Sequence, residues 1–361
     1  MNVPKLRFKE FNDNYLRLKY KDVLKIKSGK DQKQVECENG IYPILGTGGQ
    51  IGKTNSFLYD KPSVLIGRKG TINKPQYMET PFWTVDTLFY SHIYEPNIPK
   101  YLFYSFQSVN WKKYDESTGV PSLSSSTIEG VDCNIPSKEE QLKVANFLSL
   151  LDKKIELQSK KIEDLKLFKL YTKNQIFKDY DEIFKLKDIL VKWNKKNKNN
   201  YVKYVESISN KYGFISQSDQ FEDRNVASKN LNNYYIIEKG VFGYNPSRLN
   251  VGSLALKTND KVSVVSPLYE CFTTSQNKQY LLEWFNSKYF RKETISKFEG
   301  GVRNTLNFSN LCEIEIGLPT IEKQNMYSRI FKIFNKKLTI EEEKLDKLFE
   351  LKKGLLQSMF V

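Results

Sequence analysis

Histidine is nearly missing from the chain, which has a single one, His92, in 361 residues. Cysteine is scarce too, and Cys37, Cys133, Cys271 and Cys312 stand far apart with no Cys-x-x-Cys pair. That excludes a disulfide framework and a zinc site of the usual spacing and leaves four reduced structural thiols. No apolar run of about eighteen residues, the length that crosses a membrane as a helix, occurs. The segment Met1 to Asp13 lacks the apolar stretch of a signal peptide. The expectation is a cytoplasmic protein with no membrane partner. Acidic residues are the minority charge, 42 Asp and Glu against 57 Lys and Arg, for a net charge of +15 and a pI near 9.3. Such an excess favours a polyanion as partner. Nor is it confined to a tail. It recurs in the four segments defined below as 18 basic against 14 acidic residues, 10 against 7, 20 against 15 and 9 against 6. The anion-binding footprint therefore belongs to folded surface.

Catalytic motifs are missing as well. Gly46-Thr47-Gly48-Gly49-Gln50-Ile51-Gly52-Lys53-Thr54 looks like a phosphate-binding loop. The required glycine five residues before Gly52 is Thr47, however, and the residues that follow are no long helix. Asn245-Pro246-Ser247-Arg248 has only the first two residues of a loop that would position a base amino group for methyl transfer, and reads as a turn. His92 lies in Tyr90-Ser91-His92-Ile93-Tyr94 with no Cys or Ser elbow nearby, so a structural role is expected. No nuclease-type carboxylate cluster is evident. The chain is expected to be noncatalytic and to bind no cofactor or metal of its own.

What the sequence does have is a repeat. Shifting the chain by 183 residues aligns Leu123 to Phe177 with Leu306 to Phe360. Coincidences include Leu123/Leu306, Pro136/Pro319, Glu139/Glu322, Gln141/Gln324, Lys169/Lys352 and Phe177/Phe360. Gly119-Val120 precedes the first tract and Gly301-Val302 the second, and Lys21-Asp22-Val23-Leu24 is echoed by Lys187-Asp188-Ile189-Leu190. Heptad spacing puts Leu148, Leu151, Ile155, Ile162, Leu165, Thr172 and Ile176 on one seam, interrupted at Gln158 and Lys169. The second tract places Phe331, Phe334, Leu338, Leu345, Leu348, Leu355 and Met359 likewise, interrupted at Glu341 and Lys352. Matching gaps predict that the two helices pair with each other, antiparallel, with Leu151, Ile155, Ile162 and Leu165 against Phe334, Leu338, Leu345 and Leu348. About 40 residues at about 1.5 Å each make a rod of about 60 Å.

Between the helices the vocabulary changes to Gly, Pro, Asn, Tyr and short β-branched runs such as Ser63 to Ile66 and Lys261 to Val265. Helical stretches are expected over Tyr101 to Trp111 and Gln279 to Thr294. The expected fold class is α+β, a tandem pseudo-repeat of two globular domains separated by two long antiparallel coiled-coil helical regions. The segments are 1–136, 137–179, 180–319 and 320–361. The helices match and the modules do not, which suits two different readers held at a fixed distance.

These residues carry a resemblance to a family. Gly40-Ile41-Tyr42-Pro43-Ile44-Leu45-Gly46-Thr47-Gly48-Gly49-Gln50-Ile51-Gly52 and Pro62-Ser63-Val64-Leu65-Ile66-Gly67-Arg68-Lys69-Gly70-Thr71-Ile72 resemble a target recognition domain of type I restriction-modification specificity subunits. The second module is similar to another class of that domain through Val241 to Pro246, Gly252 to Ala255, Val265 to Tyr269 and Gly300 to Leu306. Pro136-Ser137-Lys138-Glu139-Glu140-Gln141 and Pro319-Thr320-Ile321-Glu322-Lys323-Gln324 look like starts of the family's helical spacers, although the second continues Asn-Met-Tyr where the first has Leu-Lys-Val. The resemblance implies a noncatalytic reader of a bipartite double-stranded DNA target. It would dock two methyltransferase subunits and, in the larger complex, restriction/translocase subunits, with S-adenosylmethionine, ATP and Mg held by those partners. The alternative is a stand-alone nucleic-acid-binding coiled-coil adaptor. Basic residues in Gly-rich or turn segments are the DNA-contact candidates: Lys53, Arg68, Lys69 and Lys74 in the first module, Arg224, Arg248 and Arg303 in the second.

Overall fold

The computed structural model of the chain describes residues 3–210, 212–217, 230–295 and 305–360. It divides into two compact units, residues 1–161 with 341–361, and residues 162–340. Their borders differ from those of the four sequence segments, because each unit takes in part of both long helices.

The first unit opens with β1 (Leu16–Lys19), α1 (Tyr20–Val23) and β2 (Leu24–Lys27). A hairpin of β3 (Tyr42–Gly46) and β4 (Gly49–Thr54) follows, then β5 (Ser63–Gly67), β6 (Gln76–Met78), β7 (Trp83–Thr84) and β8 (Leu88–Ile93). Next come α2 (Pro99–Ser108), a 3-10 turn at Trp111–Tyr114, α3 (Ser125–Gly130), β9 (Asp132–Ile135) and the long α4 (Lys138–Ile176). Strand β5 is buried at every residue, the mark of a central strand, and lies between β6 and β8 in a sheet ordered β2-β8-β5-β6. A second sheet, β4-β3-β7, pairs β3 with β7 in parallel, and β1 closes on β9 with Leu16 opposite Ile135. Tyr20, Val64, Ile66, Leu102, Phe106, Trp111 and Leu123 form the core, to which α4 adds Leu148.

The second unit repeats the frame with other contents. It runs β10 (Glu182–Lys185), α5 (Leu186–Ile189), β11 (Leu190–Lys192), β12 (Glu206–Ser209), β13 (Gly213–Ser216), β14 (Tyr235–Ile237), β15 (Phe242–Tyr244), β16 (Leu254–Leu256), β17 (Ser263–Val265) and β18 (Glu270–Thr274). Then come α6 (Lys278–Phe285), α7 (Lys288–Ile295), α8 (Phe308–Cys312), β19 (Glu315–Leu318) and the long α9 (Ile321–Met359). Its sheet is ordered β11-β18-β15-β16, and β10 closes on β19 with Glu182 opposite Leu318. The expected stretch Gln279 to Thr294 is two helices. Asn286 ends the first, donating from its side-chain amide to the Leu282 carbonyl at 3.0 Å, and Ser287 begins the next. The echo at Lys21 and Lys187 is a single helical turn in both units. In each, the aspartate (Asp22, Asp188) accepts the backbone N–H three residues before it, at 2.8 and 3.2 Å.

The helices α4 and α9, each 39 residues long, pair antiparallel within both units. In the first, Asp152 meets Lys352 at 2.6 Å and Gln158 meets Glu341 at 2.8 Å. In the second, Lys169 donates to Asn335 at 2.6 Å and Phe177 packs on Phe331. Leu148, Leu151, Ile155, Ile162, Ile176, Phe331 and Met359 are buried, and Leu165, Phe334, Leu338, Leu345, Leu348 and Leu355 are half-buried. The polar gaps are filled in a patterned way. Gln158 bonds its own repeat, Glu341. Lys169 donates to Asn335 in the second unit and Lys352 meets Asp152 in the first, partners that are again 183 residues apart.

Candidate nucleic-acid interface

Three loops of the first unit adjoin at one edge. The β3–β4 turn is the phosphate-loop lookalike, and it is a hairpin in which Gly49 sits at φ +112°, accessible to glycine but not to most residues. Beside it the loop after β5 carries Arg68 and Lys69, both exposed, followed by Gly70 at φ +87°. The third loop, Asp115 to Ser124, is fastened to the second. The Gly70 N–H donates to the Pro121 carbonyl at 2.8 Å and the Leu123 N–H to the Arg68 carbonyl at 3.0 Å.

Two carboxylates hold that third loop in shape. Asp115 accepts from the N–H groups of Ser122 (2.9 Å) and Ser117 (3.0 Å) and from the Ser117 hydroxyl (2.8 Å), contacts that hold its pKa below the ordinary value. Glu116 is held low by the hydroxyls of Thr127 and Ser124. Sequence reasoning missed this support, although Asp-x-Ser is a recognised turn signal. Arg68 and Lys69 line a cleft of about 380 Å³ together with the Glu116 carboxylate and Ser28, Ser122, Ser124 and Ser125.

The other candidates are not gathered there. Lys53 is exposed on β4, and Lys74 lines a different cavity of about 500 Å³ with Asn110, Phe349, Lys352 and Lys353. In the second unit Arg248 is exposed on a 3-10 turn that Asn245 caps by accepting the Ser247 N–H at 3.0 Å, so Asn245-Pro246 is a turn. Arg224 and Arg303 lie outside the described residues. His92 sits on β8 with its Nδ1 2.9 Å from the Tyr59 hydroxyl. Among the described residues no group of His, Cys, Asp and Glu is arranged to hold a metal, and no helix is long and apolar enough to cross a membrane.

Several polar side chains that a partner-facing reading would leave on the surface are internal. Gln141, 2% exposed, accepts the Ile98 N–H at 2.9 Å and donates to the Pro136 carbonyl at 3.1 Å. Gln324, 1% exposed, accepts the Asn277 N–H at 3.1 Å and donates to the Pro319 carbonyl at 2.9 Å. The glutamine of the Pro-x-x-Glu-x-Gln helix start therefore braces its own unit, while Glu139 and Glu322 stay exposed. In the second unit Lys257 is buried against Glu206, which also accepts from Ser263. Nothing in the spacing of these residues announces that pair.

The outer faces of the long helices are less polar than solvation requires. In the first unit Leu150 and Leu157 of α4 are 72% and 55% exposed, and in the second Ile333 and Ile340 of α9 are 66% and 40% exposed. Each pair is spaced by one heptad, and the two pairs are related by the 183-residue shift.

Comparison with known proteins places this arrangement. Residues 12–167 match the family described as the type I restriction modification DNA specificity domain. The chain is 24% identical over 294 residues to the specificity subunit of the type I restriction enzyme MjaVIII from Methanocaldococcus jannaschii, covering 71% of this chain and 68% of that one. Its fold is similar to that of the S subunit of a type I restriction-modification system from M. genitalium, with a TM-score of 0.66 at 15% identity over 99% of both chains. It is also similar to a chain from a structure of the type I restriction-modification system concerned with complex assembly and conformational transition. There the TM-score is 0.58 at 11% identity, over 96% of this chain and 97% of that one. With two dissimilar modules and a repeated long helix, the chain is similar, in the sequence of residues 12–167 and in its whole fold, to specificity subunits of type I restriction-modification systems.

Proposed function

We propose that each module reads one half of a bipartite DNA target and that the paired helices set the unread spacer between the halves. On this reading two copies of one methyltransferase dock on the helices, and restriction/translocase subunits join in the full complex. S-adenosylmethionine, ATP and Mg belong to those partners, and this chain binds none of them. Lys53, Arg68, Lys69, Lys74, Arg224, Arg248 and Arg303 are the DNA-contact candidates. An arginine that reads guanine discriminates by about 1–3 kcal/mol at one base pair, whereas a phosphate-bound lysine acts on all sequences alike.

The observation that carries the partner reading is the repeated apolar pair, Leu150 with Leu157 and Ile333 with Ile340, solvent-facing on helices whose inner seam is already filled. A duplicated surface calls for two copies of one partner. Co-expression with the methyltransferase, followed by native mass measurement, is expected to give a two-to-one complex that methylates a specific site. Charged replacements at Leu150 and Leu157 are expected to remove one copy, and the same change at Ile333 and Ile340 the other. A one-to-one complex as the active species, or two retained copies in both variants, would overturn the reading.

A further inference from the structure

One helix of each module, α2 in the first unit and α6 in the second, is tied to a long helix at two equivalent places. At its start the Ile98 N–H donates to Gln141, and the Asn277 N–H donates to Gln324. Six residues on, the Tyr104 hydroxyl donates to Asp152 at 2.8 Å and lies 3.3 Å from the Ser149 hydroxyl, while Glu283 accepts from the Asn335 amide at 3.2 Å. The two partners on the long helix stand eleven residues apart in both units, 141 and 152 on α4, 324 and 335 on α9. A lysine of the other long helix completes each chain: Lys352 meets Asp152, and Lys169 donates to Asn335, both at 2.6 Å.

The second tie is built of unlike groups in the two units. In the first the carboxylate stands on the long helix and the module offers a hydroxyl. In the second the carboxylate stands on the module, the long helix offers an amide, and Lys173 closes on Glu283 at 3.0 Å as a further, buried partner. Stability does not require polar groups here, because apolar side chains of similar volume hold a fold as well as buried charges do. What a hydrogen-bonded chain adds is direction. The surrounding apolar contacts, with Leu148 in one unit and Ile176 and Phe331 in the other, are indifferent to small rotations. Two ties about 9 Å apart along a helix admit a single setting.

We infer that Tyr104 with Asp152, and Glu283 with Asn335, are positioning residues that hold each module in one rotational setting on its long helix and thereby fix the half-site spacing that the chain accepts. The inference rests on the reading of the modules as two DNA readers. A module held firmly makes the duplex twist or bend when the spacing is wrong, whereas a module free to turn spares the DNA that deformation.

The test uses the full chain assembled with its methyltransferase, and compares methylation of the target defined by mapping host methylation with targets whose spacer is one base pair longer or shorter. Tyr104→Phe cuts the tie in the first unit and Asn335→Leu cuts it in the second. Tyr20→Phe is the control: it removes a buried hydroxyl, 2.7 Å from Ser105, that links parts of the first module to each other and not to a long helix. Each cut is expected to reduce the preference for the natural spacing by about fivefold, with the bases of both half-sites unchanged. Tyr20→Phe should keep the wild-type preference even where its unfolding midpoint falls as far as that of Tyr104→Phe. Wild-type preference in both cut variants would overturn the inference, and so would equal relaxation in Tyr20→Phe, which would trace the effect to lost stability. Absence of any preferred spacing in the wild-type complex would overturn the two-reader reading, and this inference with it, before a variant is compared.

Discussion

At the foot of the first long helix stands Glu140, and 183 residues later, at the foot of the second, stands Lys323. Glu140 is 1% exposed and receives a two-pronged contact from Arg7, at 2.8 and 2.7 Å, and the Tyr15 hydroxyl at 2.8 Å. Lys323, half-exposed, reaches Asp179 and Asp181 at 3.2 and 3.4 Å. The clamp survives duplication while its charge is inverted. One residue further on, Gln141 and Gln324 are the same residue making the same two contacts to main chain, to which Gln324 adds one with the Gln276 side chain. The difference has a physical cause: the glutamines serve backbone N–H and carbonyl groups, which are identical in both copies, whereas the clamp faces side chains that change with it. Contacts to main chain are inherited, and contacts between side chains drift in pairs.

The interiors of the two modules give the comparison its largest test. The second module holds Lys257 and Glu206 at 0% and 3% side-chain exposure. Lys257→Met should leave a buried carboxylate without its cation and lower stability by about 3–5 kcal/mol, read from chemical denaturation, while Lys257→Met with Glu206→Leu should recover much of that loss. An equal loss in the double variant would mean that the site needs the charges and not merely the volume.

The two clamps come next. Arg7→Ala uncovers Glu140 in a buried setting, though Tyr15 still donates, and is expected to cost about 2 kcal/mol. Lys323→Ala breaks solvent-facing pairs and is expected to change the unfolding midpoint little. Equal losses would erase the distinction between a buried clamp and a surface one.

The smallest effect is a pH dependence at the point where the helices meet their own repeat. The Gln158 amide, then Lys161, hold the Glu341 carboxylate down from 4.5 to about 2. A carboxylate held below its ordinary value stabilises the fold above that value, and the contribution fades as pH falls from about 5 toward 2. Glu341→Gln should therefore flatten the fall in stability over that window and leave the profile near neutral pH parallel to wild type. An unchanged acid limb would remove Glu341 from the account.

Much of the scaffold was legible in the sequence because a heptad seam leaves a period that other structure does not imitate, and because the shift of 183 exposed it twice. The partners of the seam's polar breaks were not. Asp152 and Asn335 lie one position off the seam, and only the antiparallel register brings Lys352 and Lys169 to them. The modules were readable as strand and turn but not as sheets, since their order depends on pairings such as β5 with β8 that no local pattern specifies. Among the candidate contacts, Arg68 and Lys69 were singled out by a Gly-rich setting, and both are exposed. The carboxylates that shape the neighbouring loop were not, because acidic residues in a loop read as solvated charge until their hydrogen bonds are seen. The burial of Gln141 and Gln324 was equally hidden: a polar residue three positions into a helix looks the same from sequence whether it faces water or a backbone amide.

Gln158 and Glu341 occupy the same place in the repeat and touch each other, which gives that position a particular history. In a faithful duplication the residue there would have faced its own copy, amide against amide or carboxylate against carboxylate. The second arrangement would have set two anions together on a buried seam. An amide on one helix and a carboxylate on the other put a donor against an acceptor with a single negative charge, so the repeat is matched in its apolar seam and complementary, not identical, at the place where it meets itself.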